Sequence, residues 1–388
     1  MRNKAVLYPG PPAGAERRVL PLLRLRDTDR LLILSSLMLV AMGVLMVYST
    51  SYIMAMKKFG DEFFFVKRHV AYAAMGLVLF IIASKFPYTA YRKMAYPLLI
   101  AAALLLILVY VPGIGVKAGG ATRWIRLGPL AFQPSEPAKL AVIFFLAYSL
   151  EAKSGRIKDF YAGFLPNILI PGVVVGLILL ETDLGTALTL SALILIMVFA
   201  GGVRLRYIFA MALPALPLIY ILVHKFGYMM TRIMVFIDPW KDSHGAGFQM
   251  VQSFLAFGAG GVYGVGLGEG MQKLFYLPEA HTDFILSVIG EELGLIGVGS
   301  VIVLYAVFLI SGVKIALRAK DRYGTYLALG LTCMVVLQAV INMAVVMGLL
   351  PPKGLTLPLI SYGGTSLVTN MVAVGILLNI CIVGNEAI

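Results

Sequence analysis

Ten apolar runs divide this sequence, and they constrain its fold more than any other feature. They fall at residues 31–51, 69–84, 95–112, 137–150, 164–180, 184–201, 208–224, 284–310, 325–347 and 361–384. A membrane-spanning helix needs about 20 predominantly apolar residues. Backbone groups inside lipid must be satisfied within their own segment, so each run reads as a helix. The expected fold class is all-α: a polytopic integral membrane protein with about ten transmembrane helices. Composition agrees, with 60% of residues hydrophobic and 13% charged, against about 25% charged in soluble domains. The mean hydropathy of +0.92 excludes a soluble enzyme, a disordered chain and a disulfide scaffold. Ten spans use roughly 200 residues, leaving loops and a tail but no room for a second large soluble domain.

Residues 1–30 are basic and Pro-rich and read as a cytoplasmic tail; residues 31–388 form the transmembrane domain. The first run is too long for a signal-peptide core and no A-x-A site follows it, so it reads as an uncleaved span. An even number of spans puts both termini on one side. With the termini inside, the inner segments hold 19 of the 32 Lys and Arg and the outer segments hold 12, with Lys139 inside a span. The inner loops are the short ones, which carry the orienting signal. Both termini are therefore expected in the cytoplasm, and the long segment 225–283 outside. This bias also accounts for the net charge of +13, so no nucleic-acid partner is expected. Arg204, Arg206 and the basic residues at 314–322 read as orientation signals. Cys333 and Cys381 lie in apolar runs and give no disulfide framework. The four histidines lack metal-ligand spacing.

Acidic residues concentrate on the outer side, several at membrane depth, where a charge normally faces a cavity or a partner. Glu136 and Lys139 are three apart on one helix face: a snorkelling ion pair, or the wall of a substrate cavity. Asp183, in the turn Glu181-Thr182-Asp183-Leu184-Gly185-Thr186, is placed to cap the next helix, a role compatible with chemistry. The run 258–270 is Gly-rich without a phosphate-loop ending, and reads as tight turns and close packing. Asp283 closes the long outer segment beside Glu279 and His281, at the mouth of an apolar bundle, and is the first choice for a general base. The last outer loop, from Pro351 through Lys353 to Ser361, breaks the apolar pattern with Pro and Gly. Broken backbone at this depth lines a cavity or is buried in protein. Lys353 is a candidate phosphate contact there.

Six motifs then stand in order: Arg123-Trp124-Ile125 with Phe132-Gln133-Pro134-Ser135-Glu136; Asp183-Leu184-Gly185-Thr186; Asp238-Pro239-Trp240; Leu277-Pro278-Glu279-Ala280-His281-Thr282-Asp283; Gly290-Glu291-Glu292; and Pro358-Leu359-Ile360-Ser361-Tyr362-Gly363-Gly364. Over about residues 30–384 the chain resembles the SEDS family (shape, elongation, division, sporulation). The run 272–280 and the Lys353-Gly354-Leu355 loop are similar to its division branch. Thr182 stands where a Pro is frequent, and Pro352 where a Thr is.

The resemblance implies a peptidoglycan glycosyltransferase that polymerises lipid II into a nascent glycan chain at the outer face of the plasma membrane. It also implies a place at the division septum and a class B penicillin-binding protein (transpeptidase) as partner, among other division proteins and membrane lipids. It puts the functional aspartate on Asp283 and the polar cavity on Trp124, Glu136, Lys139 and Asp183. Arg123, His281, Thr282, Lys353 and Ser361 complete the candidate substrate-binding set. The donor of such a reaction is α-linked to a lipid pyrophosphate and the product bond is β, so one inverting displacement suffices. Asp283 would take the acceptor proton. Lys139, Arg123 and Lys353 would offset the leaving pyrophosphate, alone or with a divalent cation (Mg or Mn) on outer carboxylates. A lipid II flippase and a non-catalytic division scaffold are the alternatives. The one-sided acidic cluster and the lack of an inverted sequence repeat favour an enzyme over the flippase.

Overall fold

The structure, a computed structural model, describes residues 27–118, 121–127, 130–211, 227–272 and 280–386, together with 213, 217 and 277. Helices dominate it: α1 (Asp27–Phe59), α2 (Phe64–Lys85), α3 (Thr89–Leu108), α4 (Ser135–Ala152), α5 (Leu165–Leu180), α6 (Leu184–Ala200), α7 (Gly227–Ile237), α8 (Phe248–Gly260), α9 (Ile285–Arg318), α10 (Arg322–Val346) and α11 (Gly364–Glu386). Seven are long and apolar enough to cross a membrane: α1, α2, α3, α5 with the turn before it, α9, α10 and α11, while α6 is shorter. α4 adds 18 residues that carry Glu136, Lys139 and Glu151. The expected runs coincide with these helices, except that 208–224 and the tail 1–26 lie mostly outside the described residues.

Burial separates lipid-facing helices from central ones. α2 and α3 expose Val78, Ile82, Ile100 and Leu104, each by more than half, as a surface against acyl chains would. α4 is buried around almost its whole circumference, from Ser135 to Leu150, which marks a helix enclosed by others. α2 runs along α11, α1 along α9, and α4 lies between α3 and α10.

The segment between α3 and α4 contains a small antiparallel sheet: β1 (Gly115–Ala118), β2 (Ala121–Leu127) and β3 (Leu130–Phe132), in the order β1-β2-β3. Val116 pairs with Trp124, and Ile125 with Phe132. Strands of three to seven residues are too short to raise a period-2 signal beside 20-residue apolar runs. β3 docks on the bundle through Ala131, whose carbonyl accepts from Tyr72 and Thr365 hydroxyls at 3.4 Å each.

The Gly-rich run interlocks with α9, which is broken at Gly294 (φ 64°, ψ −160°). Val265 and Gly266 N–H groups donate to the carbonyls of Glu291 and Glu292, and Leu295 N–H donates back to Gly261. A Cβ at Gly264 would stand 2.2 Å from the Glu292 carbonyl oxygen, so only glycine permits the approach. The two carboxylates close the joint. Glu292 accepts from the Ser49 hydroxyl of α1 (2.6 and 2.7 Å) and from Gly268 N–H (3.1 Å), while Glu291 accepts from Met271 N–H (2.7 Å). Asp238 likewise makes a turn, accepting from Trp240 N–H at 3.1 Å.

Candidate active site beside the loop between the last two helices

The loop from α10 to α11 has no repetitive backbone hydrogen bonding, so side chains must hold it. Leu359 adopts φ 66°, a strained value for a branched residue. Two hydroxyls fix it: Tyr305 donates to the Pro358 carbonyl, and Ser361 accepts from Leu357 N–H at 2.8 Å. Two amides one helical turn apart on α10 complete the hold. Asn342 Nδ2 donates to the Leu355 carbonyl (2.6 Å) and to the Asp283 carbonyl (2.8 Å). Gln338 Nε2 donates to the Thr356 carbonyl (3.0 Å), while its Oε1 accepts from Lys139 Nζ at 2.6 Å.

Lys139 thus lies between Gln338 and Glu136, whose carboxylate oxygens are 3.0 and 3.1 Å from Nζ. Both charges are buried, and pairing is what makes them tolerable there. The pair belongs to the packed interior, not to a solvated edge. It bears on the loop through Gln338 and Thr356.

Asp283 stands on the other side of that loop. Its carboxylate abuts Gly354: a Cβ at that glycine would lie 3.1 Å from Oδ2. The N-cap position of α9 falls on Phe284, one residue beyond Asp283. Asp283 is half-buried and lines an open groove of about 370 Å³ with Lys353, Gln249 of α8, and Thr231 and Arg232 of α7. Burial pushes the Lys353 ammonium below the usual lysine value, and the Arg232 guanidinium pushes it the same way. One carboxylate and two cations therefore share one cleft.

Asp183 is used differently. It caps α6, accepting from Thr186 N–H (3.1 Å) and the Thr186 hydroxyl (2.9 Å), with Gln133 Nε2 at 3.3 Å. Gly185 just after it meets the loop again, where a Cβ would lie 3.2 Å from the Gly354 carbonyl oxygen. Arg123 ties β2 to this turn by donating to the carbonyls of Thr182 (2.8 Å) and Glu181 (3.4 Å). Glu181, in the turn between α5 and α6, is buried with both carboxylate oxygens lacking a hydrogen-bond partner. Its pKa is pushed up to about 8 by burial and by Asp183, with Arg123 opposing.

The structure thus brings Asp283 and Lys353 together in one groove, and gathers Glu136, Lys139, Asp183 and Arg123 behind the loop that walls it. Trp124 sits half-buried on β2. His281 is buried against Phe65 and Tyr362, with ring centroids 4.9 and 5.6 Å away, and Thr282 beside it is half-buried. Neither lines the groove, and the Ser361 hydroxyl is committed to its own turn. Arg232, Gln249, Gln338 and Asn342 were not singled out in the sequence. The two amides had a readable signal, since polar side chains one turn apart on an apolar span are costly unless bonded. Among the described residues no three His, Cys, Asp or Glu side chains converge as a metal site.

Comparison with known proteins agrees with this architecture. The FtsW/RodA/SpoVE cell cycle protein family matches residues 29–385. The chain belongs to that family. A probable peptidoglycan glycosyltransferase FtsW of Geobacter sulfurreducens is 51% identical over 352 residues, covering 91% of this chain and 94% of the relative. Stage V sporulation protein E of Bacillus subtilis is 41% identical, covering 91% and 96%. Among solved structures, a chain of a peptidoglycan synthase complex that coordinates polymerization and crosslinking superposes with a TM-score of 0.74 at 31% identity, covering 90% of this chain and 96% of that one. The rod shape determining protein RodA of Thermus thermophilus gives 0.67 at 30% identity, covering 92% and 96%. The SEDS resemblance is thereby confirmed, and the chain is a polytopic membrane protein of that family.

Proposed function

We propose that this protein is a peptidoglycan glycosyltransferase that polymerises lipid II during septal wall synthesis, working at the outer face of the plasma membrane beside a class B penicillin-binding protein. Support for the activity comes from relatives named for it at about half identity over nine-tenths of the chain. The observation that carries the mechanism is the shared groove of Asp283, Lys353 and Arg232.

In this reading the acceptor hydroxyl oxygen attacks the anomeric carbon of the donor sugar. Its proton passes to Asp283, which must come within about 2.6–3.2 Å of it. The bond from the anomeric carbon to the pyrophosphate oxygen breaks, and the electron pair leaves with the lipid pyrophosphate. One displacement inverts the centre, so no covalent enzyme intermediate is required. Lys353 and Arg232 face the charge that develops on the leaving group. Lys139 is engaged by Glu136 and Gln338, and Arg123 by two carbonyls. Their part is to hold the loop and the α6 turn that shape the groove.

The test is polymerisation of purified lipid II by the purified chain, with its cognate transpeptidase, for the wild type and Asp283→Asn. The variant should retain its fold and lipid II binding and lose turnover. Near-normal polymer from a folded variant would remove Asp283 as the base. The orientation is tested separately: a cysteine at Ser243 should label from outside intact cells, and labelling only after permeabilisation would invert the topology.

A further inference from the structure

The end of the bundle opposite Asp283 carries a second cleft. α4 leaves the Glu136 end and terminates at Ala152, and α5 returns toward Asp183. The connection 153–163 is therefore at the far end, as is the segment 201–207 that follows α6. In sequence these are two separate short loops, each with a few basic residues. In the structure they meet around an open cleft of about 580 Å³ lined by Arg156, Lys158, Arg204, Tyr207 and Asp159.

The cleft is a built surface. Asp159 Oδ1 accepts from Ala162 N–H at 2.8 Å, capping a π-helical turn at Phe160–Phe164. Tyr207 packs against Phe160 and Phe164, with centroids 5.2 and 5.7 Å apart, which joins the second loop to that turn. Arg206 lies over the Tyr207 ring at 4.9 Å and donates to its hydroxyl at 2.9 Å. Three cations thus face one carboxylate that already serves a cap. Orientation alone needs basic residues near the membrane, but it does not need a joint that makes two loops one concave wall. Tyr161, Leu205 and Phe209, neighbours of the lining residues, are strongly exposed apolar groups. Such side chains suit the interface, where aromatic and long apolar groups sit at headgroup level.

We propose that this cleft binds the phosphate headgroup of an anionic phospholipid of the inner leaflet, with the acyl chains against the exposed apolar side chains of the same two loops. Charge sets the headgroup class: Arg forks suit phosphate oxygens bidentately, and basic pockets between spans on the cytoplasmic side recognise such lipids. The site is independent of the chemistry assigned to Asp283.

Native mass spectrometry of the detergent-purified full chain tests it, with phosphatidylglycerol and phosphatidylcholine titrated in parallel. The wild type should retain phosphatidylglycerol at concentrations where phosphatidylcholine adducts are absent. Arg156→Gln with Arg204→Gln should weaken that binding about thirtyfold, and Lys158→Gln alone about fivefold, in line with the loss of two cations and of one. Lys314→Gln with Lys320→Gln, exposed cations near the end of α9 and in the connection to α10, should leave it unchanged. Equal retention of both lipids, an unchanged affinity in the cleft variants, or an equal loss in the control pair would overturn the proposal. Displacement of the lipid by about millimolar inorganic phosphate would also overturn it, making the cleft a small-anion site. If the double variant does not fold, Lys158→Gln and the wild-type selectivity still decide.

Discussion

Asp183 and Asp283 look alike in sequence. Each ends an outer segment, precedes an apolar helix and sits beside small or polar neighbours. In the structure Asp183 is spent on its helix, accepting from Thr186 twice and from Gln133 once. Asp283 falls one residue short of the N-cap of its helix and instead lines a groove with two cations. The Asp183 oxygens are taken up by the start of its own helix, as orphan N–H groups there require, whereas the Asp283 carboxylate abuts Gly354 of the last loop and shares its groove with Lys353 and Arg232. The same contrast holds for the lysines: Lys139 is enclosed by Glu136 and Gln338, whereas Lys353 opens onto the groove.

Four measurements would break or sharpen that contrast. The largest effect is expected at Asp283, where loss of general-base assistance in Asp283→Asn should lower polymerisation by about 10²–10⁴-fold without moving Tm. Asp183→Asn, which can still cap, should keep most of its activity per folded molecule. A reversal of these two results would exchange the roles. Next comes the buried pair. Glu136→Ala leaves the Lys139 ammonium without its counter-ion and should cost about 3–5 kcal/mol where water is excluded, read as lower yield and Tm. Glu136→Gln combined with Lys139→Met should recover much of that loss; if Glu136→Ala is silent, the pair is solvated.

Asp183→Ala should cost about 0.5–2 kcal/mol, the usual value of a lost N-cap, measured by thermal melting. A catalytic Asp183 would instead show a loss of turnover far beyond its loss of folded protein. The smallest effect concerns pH. The Lys353 pKa is lowered by burial first and by Arg232 second, so its charge is lost at a lower pH than that of an ordinary lysine. Activity should therefore decline on the alkaline side as Lys353 deprotonates. Arg232→Gln should move that decline to higher pH, and Lys353→Arg should abolish it within the accessible range. An alkaline limb unchanged in both variants would detach Lys353 from the chemistry.

Much of the fold is legible in the sequence because lipid leaves the backbone few options. Runs of apolar residues mark α1 to α6 and α9 to α11, and the Gly-rich run 258–270 correctly reads as close packing. The candidate site is legible as a set of residues but not as a set of roles. His281 shares its motif with Asp283 and Ser361 lies in the last motif, yet the ring of one packs on Phe65 and the hydroxyl of the other closes a turn. Arg232 carries no local signal, because its meaning depends on α7 lying beside Lys353, more than a hundred residues away in the chain. The small sheet at 115–132 escapes for a related reason: its strands gain their stability from docking on α11 and on the α5–α6 turn.

By itself, then, the sequence determined a bundle of membrane helices with its acidic and broken-backbone segments at one end, since unsatisfied backbone and unpaired charge are both prohibitively costly in hydrocarbon. Only the tertiary structure decided which of those charges are consumed by the scaffold and which line a groove. For Asp283 the decision rests on a loop, held by Asn342 and Gln338, that sets Lys353 beside the start of α9. Its physical reason is that a hydrogen bond reaches about 3 Å, so the fate of each carboxylate is set by contacts between segments far apart in sequence, which no local pattern encodes.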